Sequence, residues 1–118
     1  MGINSTEVSY NFGQLGSTYT AASNDAIKPP TNKVFVAITM VTACTFDTTT
    51  GLLSPEPAKY INTSATIAND LVDGAETTDG GSGGVTLTSV AFPAGLTIYG
   101  RWNEIDVATG SCVAYIGD

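Results

Sequence analysis

From Lys33 to Asp47 the chain alternates without interruption. Val34, Val36, Ile38, Met40, Thr42, Cys44 and Phe46 fall on one side, and Phe35, Ala37, Thr39, Val41, Ala43 and Thr45 on the other. A period of two held for this length, in a run rich in β-branched residues, is the pattern of a strand. Both sides are partly apolar, so the strand is expected to lie between two layers or against a neighbouring subunit. Lys28-Pro29-Pro30-Thr31-Asn32 ahead of it reads as an extended approach that cannot belong to a central strand, because proline has no N–H to give to a ladder.

A second strand-rich region runs from Val85 to the C-terminus. Val85-Thr86-Leu87-Thr88 alternates, Pro93-Ala94-Gly95 reads as a turn, and Leu96 to Trp102 follows as a strand. Leu96, Ile98 and Trp102 share one face of that strand, leaving Tyr99 and Arg101 on the other. Ile105 and Val107 take the opposite parity from Trp102, which predicts a bulge near Asn103-Glu104. Ala108-Thr109-Gly110-Ser111 reads as a turn, and Cys112-Val113-Ala114-Tyr115-Ile116 as the returning strand of a C-terminal hairpin. Weaker signals predict a short strand or arm at Val8–Phe12, and short strands at Thr18–Ala21 and Lys59–Asn62. Ala65–Val72 is the only stretch with helical potential, and it is short and β-branched. Asp73–Gly84, with its run of glycines, reads as a surface loop. No internal repeat is present. The expected fold is all-β: an antiparallel β-sandwich or jelly-roll-like single domain over residues 14–118, with residues 1–13 as an extended N-terminal arm.

Composition narrows the function. The chain has 118 residues, enough for one domain, and 42% of them are hydrophobic, enough for a core. Only 13% are charged, so its polar surface is built from Thr, Ser, Asn and Gly, which a partner covers at lower desolvation cost than Lys or Glu. Net charge is −7, with Lys28, Lys33, Lys59 and Arg101 scattered along the chain. Binding nucleic acid through phosphates needs clustered cations, so that class is set aside. The most apolar run, Val34–Val41, is too short to span a bilayer as a helix. Met1 leads into a polar stretch, so no secretion leader is expected.

The chain contains no histidine, which removes Ser-His-Asp and Cys-His activation and the usual zinc sites. Cys44 and Cys112 read either as two reduced, buried small hydrophobes or as a single bridge. Asp70, Asp73, Glu76 and Asp79 recur every three residues, a spacing unlike that of an EF-hand, and read as a solvated acidic loop more readily than as a calcium site. Glu104 and Asp106 share a strand face, as a glycosidase pair would, but fit the solvent face of a hairpin better. Asn62-Thr63-Ser64 matches a glycosylation acceptor, which carries no weight without a secretion signal. Neither an enzyme nor a bound cofactor or metal is expected. Phe46, Phe92 and Trp102 are expected in the core. Tyr10 and Phe12, on the arm, and Tyr99 and Arg101, on the strand face opposite Trp102, are the candidate interface residues.

The stretch Ala91-Phe92-Pro93-Ala94-Gly95-Leu96-Thr97-Ile98-Tyr99-Gly100-Arg101-Trp102, together with Cys112-Val113-Ala114-Tyr115-Ile116-Gly117, resembles small structural proteins of tailed bacteriophages that decorate or cement the outside of the capsid. The resemblance covers about the last quarter of the chain. It implies a β-sandwich or jelly-roll-like domain, a homotrimer, binding between major capsid proteins, and a virion location after assembly in the host cytoplasm. It also implies a gripping N-terminal arm, for which only Met1–Phe12 is available. The competing expectation is another virion component, a tail, baseplate or fibre module that binds a host surface through exposed Trp and Tyr.

Overall fold

A computed structural model describes residues 15–55, 60–63, 87 and 90–118. Among them every regular element is a strand: β1 (Ser17–Ala21), β2 (Val34–Met40), β3 (Thr45–Phe46), β4 (Leu52–Leu53), β5 (Thr97–Trp102), β6 (Glu104–Ile105), β7 (Val107–Thr109) and β8 (Ser111–Gly117). All pairings of these strands are antiparallel. They form a four-stranded sheet in the order β1-β8-β2-β5 and two ribbons, β3-β7 and β4-β6. The all-β antiparallel expectation is met. The expected strand at Val8–Phe12 and helical stretch at Ala65–Val72 lie outside the described residues, as do most of Val85–Thr88 and the Gly-rich loop.

One hydrophobic cluster ties the three sheets together. Phe35, Ile38 and Met40 of β2 meet Trp102 of β5 and Cys112 and Ala114 of β8. Phe46, Leu52, Ile105 and Val107 join from the ribbons. Burying such a side chain contributes about 1.5–3 kcal/mol, so the ribbons, too short to stand alone, are held by this shared core. Phe46 and Trp102 are buried as expected. Phe92 is half-buried and meets Phe46 edge-on, with centroids 5.7 Å apart at 66°.

Turns follow their residues. Lys33 N–H bonds the Pro30 carbonyl at 3.0 Å around Asn32, whose φ of 65° is the left-handed conformation that asparagine tolerates better than most residues. Leu96 N–H closes the Pro93-Ala94-Gly95 turn, with Gly95 at φ 86°. Gly110 sits at φ 89°, and a Cβ there would lie 2.1 Å from the Ala43 carbonyl oxygen.

Five expectations are corrected. The run Lys33–Asp47 is not one strand. The N–H groups of Val41 and Thr42 both bond the Ser111 carbonyl (3.0 and 3.2 Å), a bulge that bends the chain out of the large sheet and into β3. β7 and β8 do not form a hairpin: the Gly110 turn passes the chain from a ribbon to the large sheet. The parity slip at Asn103 is likewise a change of sheet, where Asn103 N–H bonds the Leu53 carbonyl at 2.7 Å. Leu96 precedes β5 and is exposed, not packed inward. Tyr60–Asn62, the described part of the Lys59–Asn62 expectation, is irregular; Thr63 instead bonds Leu52 through N–H and side chain.

Candidate interaction face

Register decides which side chains share the outer face of the large sheet. Directly opposed residues on antiparallel strands point the same way. One row runs Tyr99 (β5), Ala37 (β2), Tyr115 (β8), Ser17 (β1); the next runs Thr97, Thr39, Val113, Tyr19. The intervening rows, such as Ile98, Ile38, Ala114 and Met40, Cys112, Thr20, face the core, and Ile38, Met40, Cys112, Ala114 and Thr20 are buried. On the outer face Tyr99 is 64% exposed and Tyr19 is 59% exposed. The Thr39 and Thr97 hydroxyls hydrogen-bond each other at 2.8 Å, which fixes the pairing of β2 with β5.

These rows contain no Asp, Glu, Lys or Arg, although the chain carries −7. Tyrosine offers an apolar ring with a polar tip, and threonine a methyl beside a hydroxyl, so the face suits burial against a partner without stranding a charge. Tyr99, expected as an interface residue, stands on it. Tyr19 and Tyr115 share the face with it but were not singled out from the sequence. Their parity opposite Thr20 and Ala114 was readable, whereas the strand order that sets them beside Tyr99 was not.

Arg101 lies at the rim, half-buried, and its Nη1 donates to the Asp118 main-chain oxygen at 2.9 Å. The Asp118 carboxylate pairs with the Lys33 ammonium. Lys28 pairs with Glu104 at 3.5 Å. Tyr10 and Phe12 lie outside the described residues, so the site as seen is built around Tyr99 with Arg101 at its edge.

The groups considered for chemistry are held in structural contacts. Glu104 has its Lys28 partner, and Asp106 accepts from the Thr50 hydroxyl at 3.0 Å. Asp47 Oδ1 accepts from the N–H groups of Thr50 (3.0 Å) and Thr49 (2.8 Å), and these bonds hold its carboxyl below the ordinary range. Asn62, in the glycosylation-like triplet, is buried. Cys44 and Cys112 are free and buried. The Cys44 thiol donates to the carbonyls of Ser111 at 3.0 Å and Thr42 at 3.2 Å. Burial raises its pKa, and burial together with neighbouring Cys44 pushes Cys112 up to about 12. Among the described residues no three of His, Cys, Asp and Glu gather as metal ligands, and no helix is long and apolar enough to cross a membrane. The acidic series Asp70–Asp79 lies outside the described residues.

Compared with known proteins, the chain matches no family model, no curated protein and no solved structure.

Proposed function

We propose that the protein is a non-enzymatic structural component of a tailed-phage virion, a decoration or cement protein that binds the outside of the capsid and strengthens contacts between major capsid proteins. One observation carries the reading. The two segments that resemble capsid-decorating proteins, residues 91–102 and 112–117, form β5 and nearly all of β8, and they supply Tyr99 and Tyr115 to the uncharged outer face. A cement protein acts by burying surface on a shell, and the two rows that hold Tyr99 and Tyr19 can be covered without desolvating an ion, with Arg101 at their rim. Assembly as a homotrimer in the host cytoplasm, followed by residence on the virion, belongs to the same proposal, and reduced Cys44 and Cys112 are consistent with such a compartment.

The competing host-binding tail or fibre module calls for an exposed cluster of Trp and Tyr lining a groove, of which the exposed Tyr19 and Tyr99 supply the tyrosine part. Trp102, the chain's one tryptophan, has no exposed surface, which weighs against that alternative. The test is addition of purified protein to capsids lacking it, followed by sedimentation and imaging. Saturable binding at a defined symmetry position supports the proposal. Absence of binding to capsids, or binding to host cells instead, would sink it.

A further inference from the structure

Among the described residues β1 has a ladder partner, β8, on one side only. The bonds flanking it, Ile116 N–H to the Gly16 carbonyl at 2.9 Å and Ala22 N–H to the Gly110 carbonyl at 3.0 Å, are made at even-numbered positions. Hydrogen-bonded and non-hydrogen-bonded pairs alternate along an antiparallel ladder. Ser17, Tyr19 and Ala21 therefore turn their N–H and C=O groups away from β8. The Ala21 carbonyl is taken by Asn24 N–H at 3.0 Å. Among the described residues nothing bonds the outward groups of Ser17 and Tyr19.

Such edges are ordinarily blunted by lysine, proline or an inward-pointing charge. Leu15 to Asn24 contains no Lys, Pro or other charged residue, and Leu15 and Tyr19 are 44% and 59% exposed. Two acidic molecules repel unless they meet where neither carries charge, and this segment meets that condition.

We propose that β1 pairs antiparallel with β1 of a second copy of this chain, about a two-fold axis beside Thr18. In this register Ser17 stands opposite Tyr19 of the second copy, and the two exchange bonds in both directions. The arrangement is self-complementary, as a two-fold contact must be. It uses the outward groups of Ser17 and Tyr19. The occupied Ala21 carbonyl stays outside it. The two large sheets become one continuous sheet, with both tyrosine-bearing faces on the same side. The pairing is a property of the chain alone and does not depend on a virion role; alongside the proposed homotrimer it joins two trimers across the two-fold axis, so its loss halves the assembly.

Cross-linking tests the register. Thr18 and its counterpart would face each other as a non-hydrogen-bonded pair with Cα atoms about 4.5 Å apart, within disulfide reach. Dilute Thr18→Cys oxidised with diamide is expected to give a covalent dimer, and Ser17→Cys little. Sedimentation equilibrium tests the contact itself. Tyr19→Pro removes an N–H that points away from β8, so it leaves the β1–β8 ladder intact. It is expected to halve the mass of the wild-type assembly, while Tyr19→Thr, which keeps the N–H, does not. A monomeric wild type, a mass that Tyr19→Pro leaves unchanged, or equal cross-linking of both cysteine variants overturns the pairing. If Tyr19→Pro fails to fold, cross-linking decides. Loss of capsid binding with these results intact would overturn the virion reading and leave the pairing standing.

Discussion

The Trp102 indole Nε1 donates to the Ile61 carbonyl at 2.9 Å, so the largest side chain of the core also fastens an irregular segment to the end of β5. Trp102→Ala is expected to cost roughly 3–5 kcal/mol in urea unfolding. Trp102→Phe should cost less, since it keeps most of the apolar bulk. A loss of a few tenths for the alanine variant would contradict the burial.

Gly110 and Gly95 share a positive φ but differ in surroundings. Alanine at Gly95 meets nothing within 4 Å and carries only the left-handed backbone penalty, about 1–2 kcal/mol. At Gly110 the same penalty is joined by collision with the Ala43 carbonyl, where overpacking adds typically about 1–3 kcal/mol. Thermal unfolding should therefore rank Gly110→Ala well below Gly95→Ala. Equal melting temperatures would show that the Ala43 contact is relieved at no cost.

Asp47 makes stability depend on acid. Hydrogen bonds from Thr50 and Thr49 lower its folded pKa beneath the unfolded value of about 3.9. Its contribution is therefore present above pH ~4 and is lost as pH falls through the folded pKa. The gap in urea midpoint between wild type and Asp47→Asn should be widest at neutral pH and shrink in acid. A gap independent of pH would remove the carboxylate from the account.

Cys112 behaves in the opposite sense. With its thiol pushed up to about 12 by burial and by Cys44, the unfolded chain gives up a proton, from about pH 8.5, that the folded chain keeps. Stability should fall as pH rises from there, and less so in Cys112→Ala. Labelling of either cysteine by a thiol reagent at pH 8 should track unfolding. Fast modification of folded protein would contradict this.

Tyr99→Ala and Tyr19→Ala remove exposed rings, and each is expected to change stability by less than about 1 kcal/mol while weakening capsid binding. Unchanged binding by the double variant, measured by sedimentation with capsids, would move the contact elsewhere.

The sequence made the strands legible where side chains alternate, and it became illegible where a distant partner intervened. Val34–Met40 is a strand, but a register shift between Phe35 and Ala37 breaks its alternation and buries Phe35 beside Ile38. The pattern that continues through Val41–Ala43 is broken again by the Ser111 carbonyl. Nothing local marks that bulge. Parity puts Trp102 inward, where it lies. It puts Leu96 inward too, but Leu96 is exposed because it belongs to the turn ahead of β5, where strand parity no longer governs. Parity also marks Tyr99 as outward. Tyr19 and Tyr115 join it only through a strand order in which neighbours in space are far apart in sequence.

That order also sets a timetable. β8 is the sheet neighbour of both β1 and β2, and Ser17 has no ladder partner until Tyr115 exists. On the ribosome β1 must wait, without its β8 partner, until residues 111–117 have emerged, whereas β2 can meet β5 before then. Closing so long a loop before any bond rewards it is slow. The large sheet is therefore completed, by insertion of β8 between β1 and β2, only once its last strand has been made.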